Sequence, residues 1–387
     1  MYRADHVGSL LRPSELLDAR HNSYAKAAVG DVKAAVGDGL QTVPKNDLRE
    51  IEDRHILRVL ARQRELGFDI FTDGELRRRG FMSDFYESVE GLDLDGSIAR
   101  AWKGTERARA GTQATTTPLV GLVVDKIRQT KRLTAHEVDF LIRHSPGDIK
   151  MTLPSANQFP AIMYRKGVSD RVYATSSEFL WDVVPIIKGE VQALANEGVR
   201  YIQIDAPRYS YYIDPRWRAY VRDEMGVDPE RALAEAIQAD NECLAGAKRD
   251  GVTLAIHLCR GNNRSQWYAE GGYDAIAEQL FDQLNVDTFL LEYESERSGT
   301  FEPLRFVPSG KSVVLGLVSS KVPELETPDV LRRRIDEASR YVPLERLALS
   351  PQCGFASTEE GNLLTEDEQW RKLQLVVDTA RTVWGAA

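Results

Sequence analysis

The feature of this sequence that most restricts its fold is a series of eight short apolar runs, separated by long stretches with helical periodicity. Such alternation is typical of βαβ units and a parallel sheet. Because the strand and helix patterns alternate throughout the chain, the sequence favours an α/β fold of the (β/α)8 TIM barrel type over an open doubly wound sheet. We predict strands at 5–10, 68–73, 149–154, 200–205, 252–258, 287–292, 312–318 and 346–351.

The size and charge of the chain set further limits. A barrel of this type needs about 250 residues, and this chain has 387. We predict a single barrel over residues 1–387, with insertions near 11–50 and 92–147. The formal net charge of −9 argues against nucleic acid or an anionic membrane as a partner. Chemistry on small molecules is the better expectation.

The first residues carry early charges and lack the apolar stretch of a secretory signal. No window approaches the roughly 18 to 20 apolar residues of a membrane-spanning helix. The three cysteines, Cys243, Cys259 and Cys353, are too few for a disulfide framework. We therefore expect a cytoplasmic protein in which any functional cysteine acts as a thiolate.

Metal-binding side chains stand at the predicted ends of three strands. His257 and Cys259 are two positions apart, and alternation along a strand points both to one face. Glu292 ends the next strand and Cys353 follows the last one, so a barrel would place all four at its carboxyl-terminal face. Such a set suits tetrahedral zinc. Each member also has an ordinary alternative: Cys353 can be a small buried hydrophobic residue, and Glu294 is a rival ligand to Glu292.

Other polar residues follow strands at the same face. They are Ser9, Asp73, Glu75 and Asp205. Clustered carboxylates repel one another unless a cation or an ammonium group lies between them. A positively charged substrate group would satisfy them, although Asp73 can simply cap a helix and Ser9 can simply form a turn.

The sequence also resembles a known family. It contains the motifs HVGSLLRP, TDGE, IQIDAP, HLC and SPQCG, with Glu292 at a strand end between the last two. In this order they are similar to the catalytic barrel of the cobalamin-independent methionine synthases, over nearly the whole chain. The resemblance implies a (β/α)8 barrel and a zinc-dependent methyltransferase that methylates homocysteine, activated as a zinc-bound thiolate, to methionine. The zinc ligands that it implies are His257, Cys259, Glu292 and Cys353.

The same resemblance implies a homocysteine site formed by Val7, Ser9, Glu75 and Asp205. The amino group of the substrate would meet Glu75 and Asp205. Its carboxylate would meet the backbone and hydroxyl of the turn that holds Val7 and Ser9.

Two departures from the family concern the methyl donor. Full-length members carry a second barrel-like half, for which this chain is too short. The tryptophan on which the family stacks folate would fall near 152–160, where none occurs, and Phe159 can stack there instead. The sequence therefore leaves the donor open between methyl-tetrahydrofolate and a corrinoid, with a corrinoid protein as partner in the second case.

Other functions stay open at this point. The chain also resembles the epoxyalkane:coenzyme M transferases, which use zinc to activate a thiol that carries a sulfonate and no ammonium group, so Glu75 and Asp205 favour an amino-acid thiol. A zinc hydrolase needs an open ligand position, and four apparent ligands count against it. A structural or sensing zinc would need no substrate pocket. An anionic substrate can be bound by basic residues near the strand ends, namely Arg77, Arg78, Arg79, Arg208 and Arg260.

Overall fold

The structure, a computed structural model, describes residues 1–30, 45–98, 101–106, 108, 119–247 and 251–385. Strands and helices alternate over most of these ranges. The strands are β1 Ile70–Phe71, β2 Val89–Ile98, β3 Leu119–Gln129, β4 Asp148–Pro154, β5 Tyr201–Asp205, β6 Thr253–Leu258, β7 Thr288–Glu292, β8 Ser312–Val318 and β9 Leu347–Pro351. The helices are α1 Ser14–Gly30, α2 Lys45–Leu66, α3 Ser83–Tyr86, α4 Ala135–His144, α5 Pro160–Met163, α6 Ser176–Asn196, α7 Pro215–Asp223, α8 Pro229–Leu244, α9 Ala277–Gln283, α10 Pro328–Ala338 and α11 Glu366–Trp384.

Seven of these strands form one parallel sheet in the order β1-β4-β5-β6-β7-β8-β9. The N-terminal segment lies between its two edges. Ala4 forms a parallel bridge with Leu349 of β9, and the Thr72 hydroxyl, just after β1, donates to the Gly8 carbonyl at 3.0 Å. The sheet is therefore closed into a TIM-barrel-like fold, as predicted. The strand expected at 5–10 is present only as an extended segment, because Gly8 has a φ of +143° and leaves the strand conformation.

Side-chain alternation inside the barrel separates an apolar layer from a polar one. Six side chains, one from each of six strands, form a compact buried cluster. Two positions further along the strands, towards their carboxyl ends, the inward side chains become polar. Tyr201 is followed by Gln203, and Ala255 by His257. The period of two thus places the apolar side chains in the barrel interior and the reactive groups at the carboxyl ends of the strands, the face where barrel enzymes build their sites. The apolar layer consists of Ile70, Tyr201, Ala255, Leu290, Val314 and Ala348.

A two-stranded antiparallel sheet, β2 with β3, stands apart from the barrel sheet. These two strands are not among the eight predicted ones, although residues 92–95 alternate between leucine and aspartate. Both strands overlap the insertion predicted at 92–147, as does α4, and α1 falls within the one predicted at 11–50. The rest of the first insertion includes residues 31–44, which lie outside the described part of the chain. The assignment of the whole chain to one domain stays a prediction.

Helix ends follow the chemistry of their capping residues. The Asp228 side chain accepts from the backbone N–H groups of Glu230 and Arg231 and begins α8 with Pro229 at its first position. Thr365 and Glu368 form a capping box at the start of α11. Within the described ranges, none of the helices combines the length and apolar character that crossing a membrane requires.

Candidate metal and substrate site

The carboxyl-terminal face of the barrel brings together three metal-binding side chains. His257 lies in β6, Cys259 directly follows that strand, and Cys353 follows β9. Each is at most 5% exposed, and one ligand atom from each lies within 4.8 Å of the others. The convergence expected from strand alternation is therefore observed for these three residues.

The chemistry of this group suits a metal ion. Both ring nitrogens of His257 are buried and have no hydrogen-bond partner in the described part of the chain. The pKa of Cys353 lies well below the usual range of a thiol, because the neighbouring Cys259 and then His257 favour its thiolate. One imidazole and two sulfur ligands match the preference of zinc more closely than that of magnesium or calcium, which favour oxygen. The residues therefore fit zinc.

Glu292 lies beside this group at the end of β7 and is fully buried. Its Oε1 accepts from Nη2 of Arg297 at 2.7 Å, and its Oε2 accepts from the backbone N–H of Arg260 at 2.8 Å. Arg297 also pairs with Glu294, and burial raises the pKa of that second carboxyl to about 7. Both carboxylates thus share one arginine, and the assignment of Glu292 as a zinc ligand stays a prediction.

Lys321 is a further residue of this face that the sequence reading missed. It follows β8 and is 4% exposed. Its ammonium group donates to the Gly261 carbonyl at 3.0 Å and to Oδ1 of Asn262 at 2.9 Å. Lys321 therefore fixes the loop that follows Cys259. The sequence does contain a signal for Lys321, because this polar residue follows a predicted strand, as Ser9 and Glu75 do.

A cavity of about 630 Å³ opens above the metal-binding group, and all four predicted substrate residues line it together with His257, Cys259 and Cys353. Its size lies within the range of sites that enclose a drug-sized ligand. The four substrate residues are Val7, Ser9, Glu75 and Asp205.

The turn that carries Ser9 packs on the loop of Cys353. The backbone N–H of Phe355 donates to the Ser9 carbonyl at 2.9 Å. A Cβ atom at Gly354 would lie 2.0 Å from Oγ of Ser9, so only glycine allows this approach. The first and last segments of the barrel are therefore joined at the site.

Glu75 is held in an unusual backbone conformation, with a φ of +57°. Its N–H donates to Oδ1 of Asp73 at 2.8 Å, and its Oε1 accepts from the Thr152 hydroxyl at 2.9 Å. Arg78 donates in turn to Thr152 Oγ1 at 3.0 Å. The other oxygen of Glu75 is buried and has no hydrogen-bond partner within the described ranges, and burial raises the pKa of this carboxyl. One oxygen is thus positioned and the other is available to a ligand.

Asp205 ends β5 in a similarly enclosed position. Burial raises the pKa of its carboxyl to about 7, and the charge of Glu75 adds to this effect while His257 opposes it. Nε2 of Gln203 donates to both Asp205 Oδ1 and the Val7 carbonyl, each at 2.8 Å. Two buried carboxylates in one cavity lower their mutual repulsion when a cation binds between them. This arrangement suits an ammonium group.

A second group of metal-binding type, Asp84, His136 and Glu137, lies near Arg78. Arg78 forms ion pairs of 2.7 Å with both carboxylates. Both carboxylates are therefore already engaged by one arginine, and their effect is to position Arg78 against Thr152.

Aromatic residues also line the cavity, among them Tyr86, Trp102 and Tyr268. The expectation that Phe159 stacks on a ligand is wrong. Phe159 is fully buried and packs on Phe85, with ring centroids 4.0 Å apart, because its side chain belongs to the hydrophobic core. Trp102 lies within the insertion predicted at 92–147, so part of that segment does border the site.

Comparisons with known proteins agree with this geometry. The sequence model of the family described as "Cobalamin-independent synthase, Catalytic domain" matches residues 27–382. The uncharacterized protein YxjH of Bacillus subtilis (strain 168) is 39% identical over 385 residues, which cover 99% of this chain and 95% of that protein. A methionine synthase of Pyrococcus abyssi is 24% identical over 344 residues, which cover 89% of this chain and 86% of that protein.

Solved structures show the same fold. A protein of Listeria monocytogenes, described as a candidate vitamin-B12-independent methionine synthase, is 28% identical with a TM-score of 0.67, and the match covers 99% of this chain and 98% of that one. A B12-independent methionine synthase of Shewanella sp. W3-18-1, in complex with selenomethionine, is 19% identical with a TM-score of 0.71, covering 98% and 97%. Since the family model spans most of the sequence, the chain belongs to the cobalamin-independent methionine synthase family of methyltransferases.

Proposed function

We propose that the protein transfers a methyl group to the thiol of homocysteine and so forms methionine, with zinc held by His257, Cys259, Cys353 and Glu292. The observation that carries this proposal is the convergence, in one cavity, of a His/Cys/Cys group with two buried carboxylates. Zinc bound there supplies the positive charge that keeps a substrate thiol deprotonated at neutral pH.

The chain's own residues bind and orient the amino acid. Glu75 offers a buried oxygen without a partner, and Asp205 faces the same cavity. Together they would accept the ammonium group of homocysteine. Ser9 and the backbone at Val7 would bind its carboxylate, which leaves the side-chain sulfur pointing towards the cysteines. This placement converts an encounter of two solutes into a reaction between aligned groups.

The methyl group would enter from the outer part of the cavity. The homocysteine sulfur forms a bond to the methyl carbon, and the bond between that carbon and the donor breaks with its electron pair going to the donor. Methyl-tetrahydrofolate and a methylated corrinoid both fit this description. Aromatic residues that line the cavity, Trp102 and Tyr268 among them, would provide a wall for the donor.

The alternative, alkyl transfer to a thiol such as coenzyme M, is less well supported. A sulfonate thiol brings no cation to the site. Glu75 and Asp205 would then share the cavity with a second anion and without a substrate cation between them. The two carboxylates therefore favour an amino acid as acceptor.

The test measures homocysteine-dependent formation of methionine by mass spectrometry, with methyl-tetrahydrofolate and methylcobalamin offered separately as donors. Cys353→Ser should abolish the product. Cys243→Ser is the matched control, since Cys243 is buried in α8 away from the cavity, and it should retain activity. Full activity after complete removal of zinc would refute the proposal, and turnover of a substrate without any thiol would point to hydrolysis instead.

A further inference from the structure

Arginines near the strand ends differ sharply in how they are satisfied. Of the five that the sequence suggested for an anionic substrate, four have an ion pair or a hydrogen bond to the protein. For Arg208, which follows β5, the described part of the chain supplies only contacts with aromatic rings. Arg77 pairs with Glu52 at 3.0 Å, Arg78 with Glu137 at 2.7 Å and Arg79 with Glu359 at 3.3 Å, and Arg260 donates to the Gly271 carbonyl at 2.6 Å.

Arg208 is 1% exposed, yet its Nε and Nη1 have no hydrogen-bond partner among the residues that the structure describes. Among the described residues, the structure gives its guanidinium no carboxylate within ion-pair distance. A buried charge without a partner is costly, and buried polar groups in proteins are almost always satisfied. Arg208 therefore has unused capacity for a ligand.

Aromatic rings hold the side chain in place without using its donors. The guanidinium carbon lies 4.6 Å from the ring centroid of Tyr211 and 5.2 Å from that of Tyr268. Both rings are themselves fixed: Tyr211 stacks on Trp217 with centroids 4.3 Å apart, and the Tyr268 hydroxyl donates to the Pro207 carbonyl at 2.9 Å. Arg208 is thus pre-organised, so that little side-chain entropy is lost when a ligand binds.

Arg208 lines the same cavity as the metal-binding group. Gln158 lines it too, and its Oε1 is also buried, with no hydrogen-bond partner among the described residues. The turn Ala156–Gln158 packs on the turn Pro207–Tyr212 that carries Arg208. Two unsatisfied polar side chains on adjacent turns therefore border one space. A guanidinium there matches the planar oxygens of a carboxylate, a phosphate or a sulfate.

Homocysteine does not account for this site. Its amino-acid end is assigned to Ser9, Glu75 and Asp205, and the cavity is much larger than one small amino acid. The ring contacts of Arg208 are instead with Tyr211 and Tyr268, neither of which is among the residues assigned to the amino acid, and Tyr268 lines the cavity. We propose that Arg208 binds an anionic oxygen group, carboxylate or phosphate, of the methyl donor. This inference rests on the proposed function, which supplies the need for a second substrate.

The experiment uses sulfate as the probe, because it needs no knowledge of the donor. Isothermal titration calorimetry on the zinc-loaded protein measures sulfate binding to the wild type, Arg208→Met and Arg208→Lys. Arg334→Met is the matched control, since Arg334 lies 4.7 Å from the Phe301 ring centroid in a similar cation–π contact, and neither residue lines the cavity. Binding of L-methionine is then measured with and without sulfate at equal ionic strength.

We expect Arg208→Met to weaken sulfate binding at least tenfold, Arg208→Lys to weaken it less, and Arg334→Met to leave it unchanged. Methionine should bind equally with and without sulfate, and equally to wild type and Arg208→Met. Competition between sulfate and methionine would show that sulfate binds where the amino acid binds, and this would overturn the proposal. Equal sulfate binding by wild type and Arg208→Met, or none by either, would also overturn it. If the proposed function alone fails, sulfate binding still depends on Arg208 but homocysteine yields no methionine.

Discussion

Gly8→Ala should damage the amino-acid site directly. Gly8 has a φ of +143°, which side chains rarely adopt. A Cβ atom there would lie 2.9 Å from both Oε1 of Glu75 and Cγ2 of Thr152. At such distances one of the neighbours must shift. The substitution therefore tests whether the position of Glu75 controls substrate binding.

Two effects set the expected magnitude. The backbone strain at Gly8 costs about 1 to 3 kcal/mol of stability. Displacing Glu75 breaks its hydrogen bond from Thr152, and a hydrogen bond to a charged group contributes about 1.5 to 3 kcal/mol. If the displaced carboxylate weakens the binding free energy of L-methionine by the same amount as this hydrogen bond, the affinity falls roughly 10- to 100-fold, since about 1.4 kcal/mol corresponds to a factor of ten.

The assay combines urea unfolding with isothermal titration of L-methionine. Gly189→Ala is the control, because a Cβ atom at Gly189, exposed in α6, would contact nothing within 4 Å. It should stabilise the fold by about 0.5 to 1 kcal/mol and leave methionine binding unchanged. The reasoning fails if folded Gly8→Ala binds methionine within twofold of the wild type.

Two further substitutions test the surroundings of the site. Burial raises the pKa of the Asp73 carboxyl to about 7, so the folded state keeps this proton longer than the unfolded state and its stability falls as pH rises from about 4 to about 7. Asp73→Asn keeps an acceptor for the Glu75 N–H but has no proton to lose. Its free energy of unfolding, relative to that of the wild type, should therefore rise by on the order of 3 kcal/mol between pH 5 and pH 8. Lys321→Met should loosen the loop after Cys259 and weaken zinc binding about 10- to 100-fold in a chelator competition.

Each of these has its own control. For Asp73→Asn the control is Asp69→Asn, which changes an exposed carboxylate and should not become more stable than the wild type as pH rises. If Asp73→Asn and the wild type show the same dependence of stability on pH, the expectation for Asp73 is wrong. Lys372→Met removes another buried lysine, whose ammonium donates to the Glu324 carbonyl. It should destabilise the fold without changing zinc affinity. Equal losses of zinc affinity in both lysine variants would show that Lys321 has no specific role.

Local periodicity was enough to predict the barrel and the convergence of its reactive residues. Alternation along β6 places His257 and Cys259 on one side, and strand order brings Cys353 to them. Both results depend on the period of two and on parallel strand direction, which are visible in a sequence. The same rule would have found Lys321 after β8, had it been applied to every strand.

Features that depend on long-range pairing were not visible in the sequence. The carboxylate of Glu292 is held by Arg297 and by the backbone of Arg260, and strand patterns do not show which partner a buried carboxylate takes. The role expected for Phe159 failed because core packing competes with ligand contact for any aromatic ring. The sequence does not distinguish Arg208 from the other four arginines, because only the structure shows that those four have ion-pair or hydrogen-bond partners.

The most direct test of the central claim is zinc-edge X-ray absorption on the purified protein, with and without homocysteine. If His257, Cys259 and Cys353 hold zinc that activates the substrate thiol, the metal should show two sulfur ligands alone and three with homocysteine. An unchanged shell of two sulfur ligands, or a protein that binds no zinc when zinc is supplied, would contradict the account.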